Sequence, residues 1–179
     1  TEAFRKEGHF AIVKRHIREG DLCLFQFGHN DQTLPHLLAD REYPKNLRRF
    51  VREIRETGAH PVLVTPLGRN IWSGKGEYLD LLKEHAGAVC QVAEEEQIPW
   101  IDLHGYSVDF IRERGMEPCH SFFHPEDYTH TNEYGACVFG AYMAKRLAEW
   151  FPETVTARKE ALNFVPPDGL GEKLGLGGR

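Results

Sequence analysis

Three short apolar runs bounded by turn residues, Leu22 to Phe27, Val62 to Thr65 and Trp100 to Leu103, have the length and composition of buried β-strands. Between them the apolar positions change to a spacing of three and four, which predicts helices. Residues 4–18 place Phe10, Val13 and Ile17 on one face, with Gly20 where a C-terminal cap belongs. Residues 44–56 begin on Pro44, carry Leu47, Phe50, Val51 and Ile54 along one stripe and stop before Gly58. The same spacing recurs over 78–96 with Leu82, Ala86, Val89 and Val92, and over 133–150 with Val138, Tyr142 and Leu147. Strand alternating with helix at these intervals predicts a parallel sheet with helices on both faces, a three-layer α/β/α sandwich, because each parallel connection must cross over. Reactive groups in such folds collect beyond the carboxyl ends of strands, which directs attention to the residues after Phe27, Thr65 and Leu103.

Composition narrows the field. The 179 residues, 41% hydrophobic and 27% charged, suit one domain over 1–151. After Phe151 a Pro and Gly-rich stretch, 152–179, reads as a tail. A net charge of −5, with lysine and arginine interspersed among glutamate, offers no basic surface for nucleic acid. No apolar run approaches the roughly 20 residues of a membrane span. Cys23, Cys90, Cys119 and Cys137 are too scattered for a disulfide framework; Cys23, Cys90 and Cys137 read as buried free thiols, and Cys119 falls in a predicted loop.

Two segments carry chemistry. Phe27-Gly28-His29-Asn30-Asp31 follows a predicted strand directly; glycine permits a sharp turn, and an asparagine there can aim its amide at a developing oxyanion. Ordinary turns use the same residues, so a plain turn is the other reading. Asp127-Tyr128-Thr129-His130 precedes a helix capped by Thr131 or Asn132. An aspartate three residues before a histidine can accept the Nδ1 proton and leave Nε2 as a general base, although an Asx-type turn into a capped helix fits too.

Taken jointly, Gly28-x-Asn30-Asp31 and Asp127-x-x-His130 resemble the third and fifth sequence blocks of the SGNH (GDSL-type) hydrolases. Phe27 to Gln32, Val64-Thr65-Pro66 followed by Arg69, and His130-Thr131-Asn132 with Gly135-Ala136 resemble the rhamnogalacturonan acetylesterase branch, over residues 4–150. The resemblance implies a flavodoxin-like parallel sheet and a serine esterase that removes acetyl groups from a pectin-type polysaccharide or its oligosaccharides without a cofactor. His130 would be the base, Asp127 its orienter and Asn30 an oxyanion donor, with Gly28, His29 and Asp31 shaping the turn. Arg69 would face an acidic sugar such as galacturonate, or stand solvated on its loop.

The pattern is interrupted at its start. The family's Gly-Asp-Ser block and its oxyanion glycine have no counterpart, and Thr1 to Phe4 resemble the residues just after that glycine. Ser73, Ser107 and Ser121 lack a preceding Gly-Asp, and Ser107 reads as helix surface. The nucleophile and the first strand are therefore expected from residues upstream, a second chain or an exchanged element. Two other readings are a carbohydrate-binding protein without activity, using Trp72, Tyr78, Trp100, Tyr106 or Tyr128 to stack on sugars, and a metal-dependent hydrolase built on Cys119, His120, His124, Asp127 and His130.

Overall fold

A computed structural model describes residues 1–153, which fall into two compact units, residues 1–66 with 81–104 and residues 67–80 with 105–153. The expected tail lies, apart from its first two residues, outside the described residues.

The first unit is built on strands β1 (Leu22–Gln26), β2 (His60–Val64) and β3 (Trp100–Ile101), all parallel and ordered β1-β2-β3. Leu24 stands beside Val62 and Leu63 beside Trp100. Parallel neighbours require crossovers. Helix α3 (Glu42–Arg55) provides the first and α4 (Lys83–Glu95) the second, each packing on β2. The apolar stripe of α3 is wholly buried: Leu47, Phe50, Val51 and Ile54 are no more than 1% exposed. Phe50 lies 4.7 Å from Phe10, 5.5 Å from Phe25 and 5.2 Å from Phe27, ring centre to ring centre. The Arg5 guanidinium covers this cluster 4.3 Å above the Phe50 ring and pairs with Glu53 at 2.8 Å.

The single helix expected over 4–18 is two, α1 (Glu2–Lys6) and α2 (His9–Lys14). Gly8 separates them at φ 82°, a left-handed conformation that interrupts the hydrogen-bond ladder. β3 ends two residues before its expected limit because Leu103 opens helix α5 (Leu103–Arg114). The buried Thr65 hydroxyl holds that turn by accepting from His104 N at 2.7 Å. The helix expected from 78 begins only at Lys83, since Tyr78 is paired across a loop with Trp72.

The outer edge of β1 has no strand partner among the described residues. Leu24 is 41% exposed there, and with Ile12, Val13, Ile17, Leu22 and Phe25 it lines a groove of about 510 Å³. Parallel sheets are ordinarily covered on both faces, so an exposed apolar residue on an edge strand is a feature of this sheet.

The second unit holds the 67–80 loop, α5 from Gly105 onward, α6 (Met116–Cys119), a 3-10 turn over His120–Phe122 and α7 (Glu133–Trp150). Phe110, Phe122 and Phe139 form its aromatic centre, with Phe110 4.8 Å from Phe122 and 5.4 Å from Phe139. At Gly135 a Cβ would stand 2.1 Å from the Phe122 carbonyl oxygen, so only glycine lets α7 approach the 3-10 turn. Ser107 is fully buried, not on the helix surface as expected, and its Oγ accepts from Gly68 N at 2.8 Å. Cys119 is the buried cysteine and lies in α6 rather than a loop, whereas Cys23 and Cys90 are half-buried and Cys137 is exposed; all four are free. Among the described residues no helix is long and apolar enough to cross a membrane.

Candidate active site

In the first unit, β1 ends at Gln26 and the chain turns through Gly28 at φ 138°. A Cβ at Gly28 would sit 3.1 Å from two Pro66 carbons and 3.4 Å from the Tyr43 hydroxyl. Both the dihedral and the space demand glycine, and the turn is tied down by Tyr43 Oη donating to Phe27 O at 2.9 Å and by Gln32 N donating to Gly28 O at 2.8 Å. Gly28→Ala is expected to lower stability by about 1–3 kcal/mol and to disturb the Asn30 turn, which thermal unfolding beside the activity will register.

Asn30 follows, exposed, at the start of the 3-10 turn Asp31–Thr33, and its side chain makes no cap to that turn. The amide is thus held out on a fixed backbone. Asp31 points the opposite way. It is 2% exposed and accepts from the Thr1 hydroxyl, which itself receives the Asn46 amide at 3.0 Å. His29 completes the turn, half-buried. Asp31 is thus buried beneath the turn.

In the second unit, Asp127 and His130 meet. Asp127 Oδ1 accepts from Thr129 N at 2.7 Å and His130 N at 2.9 Å, and Oδ2 accepts from His130 Nδ1 at 2.6 Å. The two backbone N–H groups of the loop and the imidazole hold the Asp127 carboxyl down at about 2, led by the His130 backbone N–H. An ionised carboxylate only accepts, so Nδ1 must carry the proton, and Nε2 is left as the basic nitrogen on a side chain that is 76% exposed. The loop starts with a tight turn in which Pro125 is followed by Glu126 at φ 60° and Asp127 N donates to His124 O at 3.0 Å. It ends on Asn132, 1% exposed, whose Nδ2 donates to Ser121 O and Phe123 O, both at 2.9 Å, and whose Oδ1 caps α7 through Gly135 N at 3.0 Å. Asn132, not Thr131, is the cap.

The sequence reading missed Asn70. It is 1% exposed; its N–H donates to Tyr128 O at 2.8 Å, its Nδ2 to Met116 O at 3.1 Å, and its Oδ1 accepts from Trp72 Nε1 at 2.7 Å. One residue thereby fastens the 67–80 loop to the loop of Asp127 and His130. Its signal was faint, an asparagine beside the more conspicuous Arg69. Arg69 itself is half-buried in the same loop, with Nε out of contact with water. Among the described residues no three histidine, cysteine, aspartate or glutamate side chains come together as metal ligands, and the cluster from Cys119 to His130 does not assemble one.

Similarity to known proteins bears on this geometry. No family model matches the chain. A rhamnogalacturonan acetylesterase of Bacillus subtilis (strain 168) is 32% identical over 162 residues, which is 83% of this chain and 70% of that protein. This chain belongs to the SGNH hydrolases. The crystal structure of the Bacillus subtilis protein YxiM superposes with a TM-score of 0.72 at 25% identity, over 83% of this chain and 42% of that one. A Slackia heliotrinireducens protein assigned to the SGNH hydrolases gives 0.56 at 15% identity, over 82% of this chain and 77% of that one, a likeness of fold. The SGNH hydrolase fold is the three-layer α/β/α arrangement expected from the strand and helix pattern.

Proposed function

We propose that this SGNH hydrolase domain is the greater part of a serine esterase that removes acetyl groups from a pectin-type polysaccharide or its oligosaccharides, with the nucleophilic serine on a strand upstream of Thr1. The observation that carries the reading is the 2.6 Å bond from His130 Nδ1 to Asp127, whose carboxyl is held at about 2. That arrangement fixes the imidazole tautomer and readies Nε2 to take a hydroxyl proton. The substrate class rests on the relative named rhamnogalacturonan acetylesterase.

In the proposed reaction His130 Nε2 takes the serine proton as the serine oxygen adds to the acetyl carbonyl. The oxyanion receives the Asn30 amide. Collapse expels the sugar alkoxide, which takes the proton from His130 and leaves an acetyl-serine. Water, deprotonated in turn by His130, releases acetate and regenerates the serine.

The three serines among the described residues are engaged elsewhere. Ser107 is buried against Gly68 N, Ser121 donates to Pro118 O at 2.9 Å, and Ser73 Oγ accepts from Lys75 N and Glu77 N, each at 3.2 Å. Burial pushes the Cys90 and Cys119 thiols up to about 11, so neither is a thiolate at neutral pH. The open edge of β1, with Leu24 exposed, supports a further parallel strand there, the place where an upstream strand would bring its carboxyl end beside the Gly28 turn. Release of acetate from acetylated rhamnogalacturonan by the protein extended upstream of Thr1 is the expected result. Binding of the polysaccharide with no acetate released would favour a binding protein instead.

A further inference from the structure

We propose that the ring of Tyr128 is the platform on which the sugar carrying the ester stacks, and so sets the preference for carbohydrate esters over simple ones. The inference rests on the esterase reading above. Tyr128 is 46% exposed and is the one aromatic side chain in the exposed class among the described residues. Its position is unusual for a tolerated surface aromatic. It lies between Asp127 and His130, two residues from the base, a span of at most about 7 Å between backbones.

The residue is also held still. Its carbonyl accepts from the N–H of the buried Asn70 at 2.8 Å, and its ring leans on the His120 ring, centres 5.6 Å apart at 57°. A ring fixed in advance on a rigid loop loses little freedom when a ligand covers it. A pyranose matches such a ring, because its C–H face packs on an aromatic surface. The departing sugar oxygen must reach His130 Nε2 to be protonated, so the sugar ring has to lie beside His130, and Tyr128 stands exposed two residues away in the same loop.

The test compares wild type, Tyr128→Ala and Tyr128→Phe, each extended upstream of Thr1, on an acetylated rhamnogalacturonan oligosaccharide and on p-nitrophenyl acetate. Tyr128→Ala is expected to lower kcat/KM for the oligosaccharide about five- to tenfold more than for p-nitrophenyl acetate, through KM, with Tyr128→Phe recovering most of the loss. An equal loss on both substrates, or a loss in kcat alone, overturns the proposal. Calorimetry with the deacetylated oligosaccharide gives a separate readout: about five- to tenfold weaker binding by Tyr128→Ala is expected, and equal affinity overturns the proposal even if neither ester is hydrolysed. Absence of hydrolysis by wild type would instead count against the esterase reading.

Discussion

In the protein extended upstream of Thr1, His130→Ala is expected to lower kcat on p-nitrophenyl acetate by about four orders of magnitude or more with the fold intact, since the side chain is 76% exposed. The loss follows from the proton transfers, both of which pass through Nε2 in the proposed reaction. Asp127→Asn approaches the same loss by a different route: an amide in place of the carboxylate can donate to Nδ1, which moves the imidazole proton to Nε2 and abolishes the base. The pH dependence separates the two groups. Asp127 is depressed to about 2, so its bond to the imidazole is present above the ordinary carboxylate range and is lost only as pH falls through about 2. An acid limb of kcat/KM above pH 4 therefore does not belong to Asp127. Carboxyl-carbon NMR of Asp127 is expected to show a midpoint near 2; a midpoint near the ordinary aspartate value of about 4 would remove the ion pair from the mechanism.

The second large effect is expected at Asn30. Asn30→Ala is expected to lower kcat by about a hundredfold to a thousandfold while KM changes little, because in the proposed reaction the amide meets an oxygen that is strongly negative only in the transition state. Asn30→Asp is expected to be worse still, since a carboxylate would face the same developing charge. An equal rise in KM with kcat unchanged would make Asn30 a substrate contact and not an oxyanion donor. The fixed backbone of the turn, with Gly28 against Pro66 and Asp31 beneath, keeps the amide preorganised, so neither variant should alter the fold.

Much of this was legible in the sequence where a short signal dictates local structure. Strand periodicity located all three strands, and the stripe on α3 lies buried as expected. The Asp127-x-x-His130 spacing sufficed for the hydrogen bond between the two side chains, because it closes within one loop. What escaped depends on contacts distant in the chain. α5 lacks a clean stripe: Val108, Phe110 and Ile111 are buried but so is Ser107, whose partner is Gly68. The break at Gly8 and the positive φ of Glu126 are backbone choices made by the surroundings, and glutamate carries no sign of one. Asn70 serves Tyr128, Met116 and Trp72 at once, a role visible only when three segments are seen together.

In the proposed reaction these residues supply the base, its orienter and an oxyanion donor to a serine outside them. Intact mass after treatment with a fluorophosphonate, which adds covalently to an activated serine, tests it most directly. The account predicts no adduct on the 179-residue chain, one adduct on the protein extended upstream of Thr1, and loss of that adduct with His130→Ala. An adduct on Ser73, Ser107 or Ser121, or an extended protein that takes no label while folded, would contradict it.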